Sequence, residues 1–284
     1  MLVDFHTHVF PPFLMERREE YLARDATFGE LYSSPKARMA TADELVAALD
    51  EAQVDAAITV GIGWTDRELA ARANDYLLEG AIRFPGRLVP FCAVNPAWGE
   101  DAVRELQRCV RGGARGAGEL HPDSQGFDLT SADAMSPLME EARKSGMPVM
   151  VHSSEPVGHL YPGKGRATPE RLLRFIERFP QNAIVCAHWG GGLPFYALMP
   201  EVGAALRNVY FDSAASPFLY APKVFRVARE LVGANRMLFG TDYPLIGHKR
   251  LIEQVRGAGL TPQEEAAVLG GNAVRLLRLE EAKR

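Results

Sequence analysis

The sequence predicts an α/β chain closed as a distorted (β/α)8 TIM barrel, with its active site at the C-terminal ends of the strands. Three observations predict it. Short apolar runs alternate with amphipathic stretches along the whole chain. Eight such runs share 284 residues, and about thirty-five residues per unit suits a barrel with extended loops. The residues that end the runs are rich in histidine and carboxylate, which is where a barrel gathers its chemistry.

The first strand is expected at 2–6, and Thr41 with Glu44 forms a capping box that opens a helix at 41–52. Strand 56–62 and helix 66–82 follow, then strand 88–95 and helix 101–111, which Gly112-Gly113 should stop. Strand 114–120 leads to helix 132–145, ended near Gly146. Strand 148–152 precedes helix 168–179, where Thr168 stands at the N-cap and Pro169 at the first helical position. Strand 183–188, helix 194–206, strand 209–212, helix 223–232 and strand 237–241 complete the alternation. Two helical segments, 262–269 and 272–279, close the chain around Gly270-Gly271, the first opened by Thr261-Pro262. A doubly wound open sheet would want a glycine-rich phosphate turn after its first strand. This chain has His6-Thr7-His8 and then Pro11-Pro12 there.

Length permits two domains, but barrels use this length as one, so a single domain over 1–284 is expected. Hydrophobic residues make up 47% and charged residues 24%, ordinary for a soluble enzyme with a large core. The net charge of −4 draws the chain to neither nucleic acid nor an anionic membrane. No apolar run is long enough to span a bilayer, and Asp4, His6 and His8 interrupt any signal-peptide core. Cys92, Cys109 and Cys186 are far apart and form no CxxC pair, so they read as buried thiols in a reducing, cytoplasmic compartment. A homodimer is the default assembly for such an enzyme.

His6 and His8 end the first predicted strand, Glu119 the fourth, His152 the fifth and His188 the sixth, with Asp242 just past the eighth. Residues two apart share a strand face, so His6 and His8 can grip one cation. Imidazole and carboxylate suit Zn²⁺, expected first, and also Mn²⁺ or Fe²⁺. Each residue alone has a plainer reading. An isolated HxH is usually nothing, Glu119 could pair with Arg115, and Asp242 could cap a following helix. Together they argue for a metal, because burying that many imidazoles and carboxylates on one axis is costly without a cation.

Loops 9–40, 121–130 and 153–167 share the same rim. His159, Tyr161, Lys164 and Arg166 in the last of them are candidates for an anionic substrate, against the default of a solvated loop. His121 shares Glu119's face, but Pro122 marks a loop there. Arg17, Arg18 and Arg24 interleave with acids and read as a surface helix. Gly190-Gly191-Gly192 lacks the lysine of a phosphate loop and reads instead as a place of close backbone approach.

Asp4-Phe5-His6-Thr7-His8, Val151-His152, His188-Trp189-Gly190-Gly191-Gly192, Phe239 to Pro244 and Gly271 to Leu277 run in one order over nearly the whole chain. That ordered set resembles the amidohydrolase superfamily, in the branch with aminocarboxymuconate-semialdehyde and resorcylate decarboxylases. The resemblance implies a metal held by His6, His8, His152 and Asp242, with His188 a further ligand or an acid/base beside it. It also implies Asp242 as the proton carrier. Glu119 departs from the mononuclear decarboxylase pattern and is similar to the bridging carboxylate of binuclear members, TatD-like nucleases among them. A bridge would place His6, His8 and Asp242 on one ion and His152 with His188 on another. The resulting expectation is a metal-dependent hydrolase of an amide or ester-like bond in a small carboxylated substrate. A non-oxidative decarboxylase is the alternative. A nuclease is disfavoured by the charge, and a non-enzymatic scaffold by the acid/base groups on the rim.

Overall fold

The eight apolar runs form one sheet whose strands lie in chain order. They are β1 Val3–Thr7, β2 Ala56–Val60, β3 Leu88–Cys92, β4 Gly116–Leu120, β5 Val149–Val151, β6 Ile184–Cys186, β7 Val209–Asp212 and β8 Met237–Leu238. The structure is a computed structural model describing residues 1–279, so 280–284 of the expected domain lie outside the described residues. Each strand pairs in parallel with the next. The ring closes through the chain beyond β8. Thr7 bridges Tyr243 in parallel, the Phe5 amide donates to the Phe239 carbonyl at 2.7 Å, and the Asp242 amide donates to the His6 carbonyl at 2.8 Å. A distorted TIM barrel results. Its register breaks twice, between Asp4 and Thr7 of β1 and between Ala117 and Leu120 of β4.

Strand alternation divides the core. Phe5, Ile58, Val60, Phe91, Met150, Val185 and Leu238 form one cluster that fills the barrel, joined by Ala273 and Leu277 of the final helix. Phe5 meets Phe91 edge to face at 5.6 Å. Gly116 makes room for that ring, since a Cβ there would sit 2.4 Å from it. The opposite strand faces pack against the outer helices, with Cys92, Cys109 and Cys186 all free and buried.

The capping box at Thr41 forms as expected, Thr261 caps its helix and adds a capping box with Glu264, and the Thr168 side chain makes no cap bond. The expected helix 194–206 breaks into Leu193–Leu198 and Pro200–Ala205, because Pro200 has no amide to continue the ladder. Helix His248–Arg256 follows Gly247, which offers no capping side chain and so left no sequence signal. Loop 9–40 is more built than a loop. It folds into helices Pro12–Glu16, Arg18–Arg24 and Ala26–Tyr32 around a separate aromatic cluster that includes Phe10, Phe28, Tyr32 and Trp64. Asp25 anchors this cap to the β2 loop by accepting from the Thr65 and Asp66 amides at 2.7 and 2.8 Å. No helix of the described residues is long and apolar enough to cross a membrane.

Candidate metal centre

His6 and His8 each have an acceptor behind the ring. His6 Nδ1 lies 2.9 Å from Asp212 Oδ2, and His8 Nδ1 lies 2.9 Å from the Val60 carbonyl. A carboxylate and a carbonyl only accept, so both Nδ1 atoms carry the proton and the two Nε2 atoms face forward. Those Nε2 atoms are 3.1 Å apart. Two bare lone pairs at that distance repel, so a proton or a cation has to sit between them. Burial opposes the charge on His6, but Asp212 and Glu119 overcome it and raise its pKa well above the usual value.

Glu119 stands across from this pair and faces two ways. Its Oε2 is 3.5 Å from His6 Nε2, 3.9 Å from His8 Nε2 and 3.1 Å from His121 Nε2. Its Oε1 is 2.9 Å from His152 Nδ1 and 3.3 Å from His188 Nε2. Burial would raise this carboxyl's pKa, yet the imidazoles of His121, His6 and His152 hold it well below the usual range. The pairing with Arg115 does not form, since that guanidinium donates to the Leu277 carbonyl. Two groups of ligand atoms result, His6 with His8 and Glu119, and Glu119 with His152 and His188, each within 4.8 Å. Asp242 joins the first, its Oδ1 being 3.3 Å from His8 Nε2 and 4.0 Å from His6 Nε2. Its side chain faces this cluster and caps no helix. Burial works against its charge, but His8, His6 and His188 pull its pKa down to about 2.

His188 reaches the site through strained backbone. The strand expected to run to 188 stops at Cys186, and His188 and Trp189 turn into the left-handed region at φ 54° and 57°. Such a conformation costs about 1–2 kcal/mol per non-glycine residue. Asp212 Oδ1 offsets part of it by accepting the His188 amide at 2.9 Å. Burial lowers the His188 pKa, but Glu119 and Asp242 raise it to about 9 overall. The turn continues through Gly190, Gly191 and Gly192, all at positive φ, and a Cβ at Gly191 would lie 2.3 Å from the Ser154 carbonyl oxygen. The close approach is thus to the β5 loop.

The ligand groups floor a cavity of roughly 470 Å³ whose walls include Leu31, Tyr32, Ile62, Phe218 and Leu219. His159 and Tyr161 line it, while Lys164 and Arg166 do not. Lys164 Nζ donates to the Val157 and His159 carbonyls at 2.7 and 2.9 Å, and Arg166 Nε pairs with Asp123 at 3.0 Å. These two cations hold the β5 loop in shape. Lys36 and Arg38, which sequence reasoning passed over, line the mouth instead.

Buried nitrogens aimed at one another, with a carboxylate between them, fit a divalent cation bound by nitrogen and oxygen. A family model described as "Amidohydrolase" matches residues 3–279. The chain belongs to the amidohydrolase family. Within it the chain falls in the branch of carboxymuconate and resorcylate decarboxylases. It is 22% identical to a 2-amino-3-carboxymuconate-6-semialdehyde decarboxylase of Dictyostelium discoideum, over 99% of this chain and 92% of that one. The crystal structure of 5-carboxyvanillate decarboxylase from Sphingomonas paucimobilis superposes with a TM-score of 0.80 at 18% identity, covering 98% of this chain and 99% of the other. A dihydroxybenzoic acid decarboxylase from Polaromonas, solved with manganese and the inhibitor 2-nitroresorcinol, gives 0.75 at 20% identity, covering 99% and 98%. This amidohydrolase-family chain is therefore a metal-dependent enzyme.

One further site residue of this family member escaped sequence reasoning. Asp212 ends β7 fully buried and touches both His6 and the His188 backbone. The rule that singled out Glu119, a carboxylate at the C-terminal end of an apolar run, would have found it.

Proposed function

We propose that the chain is a metal-dependent, non-oxidative decarboxylase of a small, anionic, carboxylated substrate. Carrying this reading is the kinship with decarboxylases over nearly the full chain, which favours carbon–carbon cleavage over the hydrolysis expected first. On this reading His6, His8, Asp242 and Glu119 would hold one divalent cation, and Glu119, His152 and His188 would hold a second. Manganese, the ion in the Polaromonas structure, suits this donor set as well as zinc. Bound there, the cations would polarise the substrate's oxygens and stabilise the charge that builds on the organic fragment.

Other steps belong to the chain's own residues. Lys36, Arg38 and His159 give the mouth a basic rim, and neither Lys36 nor Arg38 has an ion-pair partner among the described residues, which supports an anionic ligand. Tyr32 stacks on Phe28 at 5.1 Å and meets Phe10 edge-on at 4.9 Å, which fixes its ring at the cavity wall. Burial and the nearby Asp242 and Glu119 carboxylates raise its pKa, so it remains a neutral hydrogen-bond donor. Leu31, Phe218 and Leu219 displace water from the substrate. Asp242 gives up a proton readily but seldom holds one at neutral pH. The proton therefore arrives with the substrate, passes to Asp242 and is delivered to the carbon that keeps the bonding pair as CO₂ leaves.

The test is product analysis of the manganese-loaded enzyme in ¹⁸O-water with hydroxylated aromatic and enol carboxylic acids. Release of CO₂ with no ¹⁸O in the organic product is expected. Incorporation of ¹⁸O without CO₂ would return the enzyme to the hydrolases.

A further inference from the structure

His121 belongs to neither ligand group, yet it touches two members of one of them. Its Nε2 is 3.1 Å from Glu119 Oε2, and its ring lies on the His152 ring at 4.4 Å between centroids and 15° between planes. No ring contact or hydrogen bond joins it to His6, His8 or Asp242 among the described residues. The residue is buried, and its own placement is over-determined. The His121 amide donates to Gln125 Oε1 at 2.8 Å, while Gln125 Nε2 donates to the Trp64 and Val94 carbonyls at 3.2 and 3.0 Å. Gly63 presses from the other side, since a Cβ there would lie 2.7 Å from the His121 Cβ. The β2, β3 and β4 loops thus converge to hold one imidazole against a carboxylate and a second imidazole.

We infer that His121 is a positioning residue for the second cation, the one proposed at Glu119, His152 and His188. Its N–H fixes the plane of the Glu119 carboxylate, so that Oε1 stays turned toward His152 and His188. Its ring face fixes the tilt of His152, so that Nδ1 stays turned toward Glu119. His6 and His8 are oriented independently, by Asp212 and the Val60 carbonyl. Glu119 serves the first ion as well, but that ion keeps His6, His8 and Asp242, none of which His121 touches, so removing His121 loosens the second ion more than the first. This asymmetry is the signature that a general loss of packing would not produce. The inference rests on the proposed pair of ions.

Equilibrium dialysis of the metal-free chain against graded Mn²⁺, with metal per chain read by elemental analysis, separates the outcomes. Wild type is expected to bind two ions. Replacing a residue that orients a metal ligand weakens affinity about 10- to 100-fold. His121→Phe keeps the stacking face and removes the N–H, so the second dissociation constant should rise by that factor while the first, which keeps His6, His8 and Asp242, rises by less. His121→Gln returns an N–H donor toward Glu119 and should recover part of the loss. A first site that still binds its ion also reports an intact fold. Two ions bound by His121→Phe at wild-type affinity would overturn the role of His121 alone, as would equal weakening of both sites or failure of either variant to fold. A single ion in wild type would overturn the paired-ion reading and this inference with it.

Discussion

Asp212→Asn tests the tautomer argument on which the metal centre rests. Asp212 Oδ1 accepts the amides of His188 at 2.9 Å and Ala214 at 3.0 Å, and Oδ2 faces His6 Nδ1 at 2.9 Å. An asparagine keeps its oxygen on the two amides, because the opposite flip would set an NH₂ group against two donors. The NH₂ then faces His6 Nδ1, which must become an acceptor. The imidazole proton moves to Nε2, into the place where His6, His8 and Glu119 converge. Loss of such an outer partner costs about 10- to 100-fold in metal affinity, or about 1.4–2.7 kcal/mol. Competition between the metal-free protein and a chromophoric chelator for Mn²⁺ reads this directly, with far-UV circular dichroism to check the fold. A folded Asp212→Asn protein that holds Mn²⁺ within twofold of wild type would refute the argument.

Four other outcomes follow from the site and its surroundings. His6 and His188 hold protons in the metal-free chain, His188 up to about 9, so Mn²⁺ binding at pH 7–8 should release protons and tighten as pH rises. Calorimetry in buffers of different ionisation enthalpy measures this, and no proton release would contradict it. The sign for stability is the reverse. A histidine raised by folding stabilises the metal-free protein fully below its unfolded value of ~6.5 and ceases to do so as pH passes ~9. The melting temperature should therefore fall across that window, whereas the contribution of Asp242, held at about 2, is lost only in strong acid. Arg38→Ala should weaken binding of any carboxylated ligand that enters the cavity, and Arg166→Ala should not; equal effects would undo the assignment of the rim. Gly63→Ala forces a methyl against His121 and Gln125 and should cost about 1–3 kcal/mol in denaturant unfolding, with an unchanged midpoint showing that the loop yields.

Much of this was legible because the period of an apolar run reports a strand wherever both of its faces are buried. All five residues of β1 to β4 are buried, and each run was found. Of loop 9–40 only the surface helix at Arg18–Arg24 was legible, from its interleaved charges; the other two helices were not, since their turns are short and their core is a private aromatic cluster without the long amphipathic face that marks a barrel helix. His6, His8, Glu119, His152, His188 and Asp242 could be selected by type and by place at the strand ends, which is local information. Lys164 and Arg166 could not be excluded that way. Whether a loop cation faces the cavity or caps its own loop's carbonyls depends on how the loop folds back, as Lys164 does on Val157 and His159.

Orientation is the part that sequence period cannot supply, because the site is built where the period fails. Register breaks in β1 at the segment that holds His6 and in β4 at the segment that holds Glu119. β6 ends two residues before His188 and delivers it through a left-handed turn, and Asp242 too sits at positive φ, 65°. A regular strand would point alternate side chains into the barrel in fixed layers. The departures rotate four ligand-type side chains toward a common floor, and backbone amides tie that rotation down. Asp4 Oδ1 accepts the amides of His6 and Thr241 at 3.0 Å each, coupling the irregular end of β1 to the residue before Asp242. A buried aspartate two residues before a histidine pair is therefore part of how the pair is aimed. A substitution at Asp4 should disturb metal binding through both His6 and Asp242, although it touches neither ligand atom.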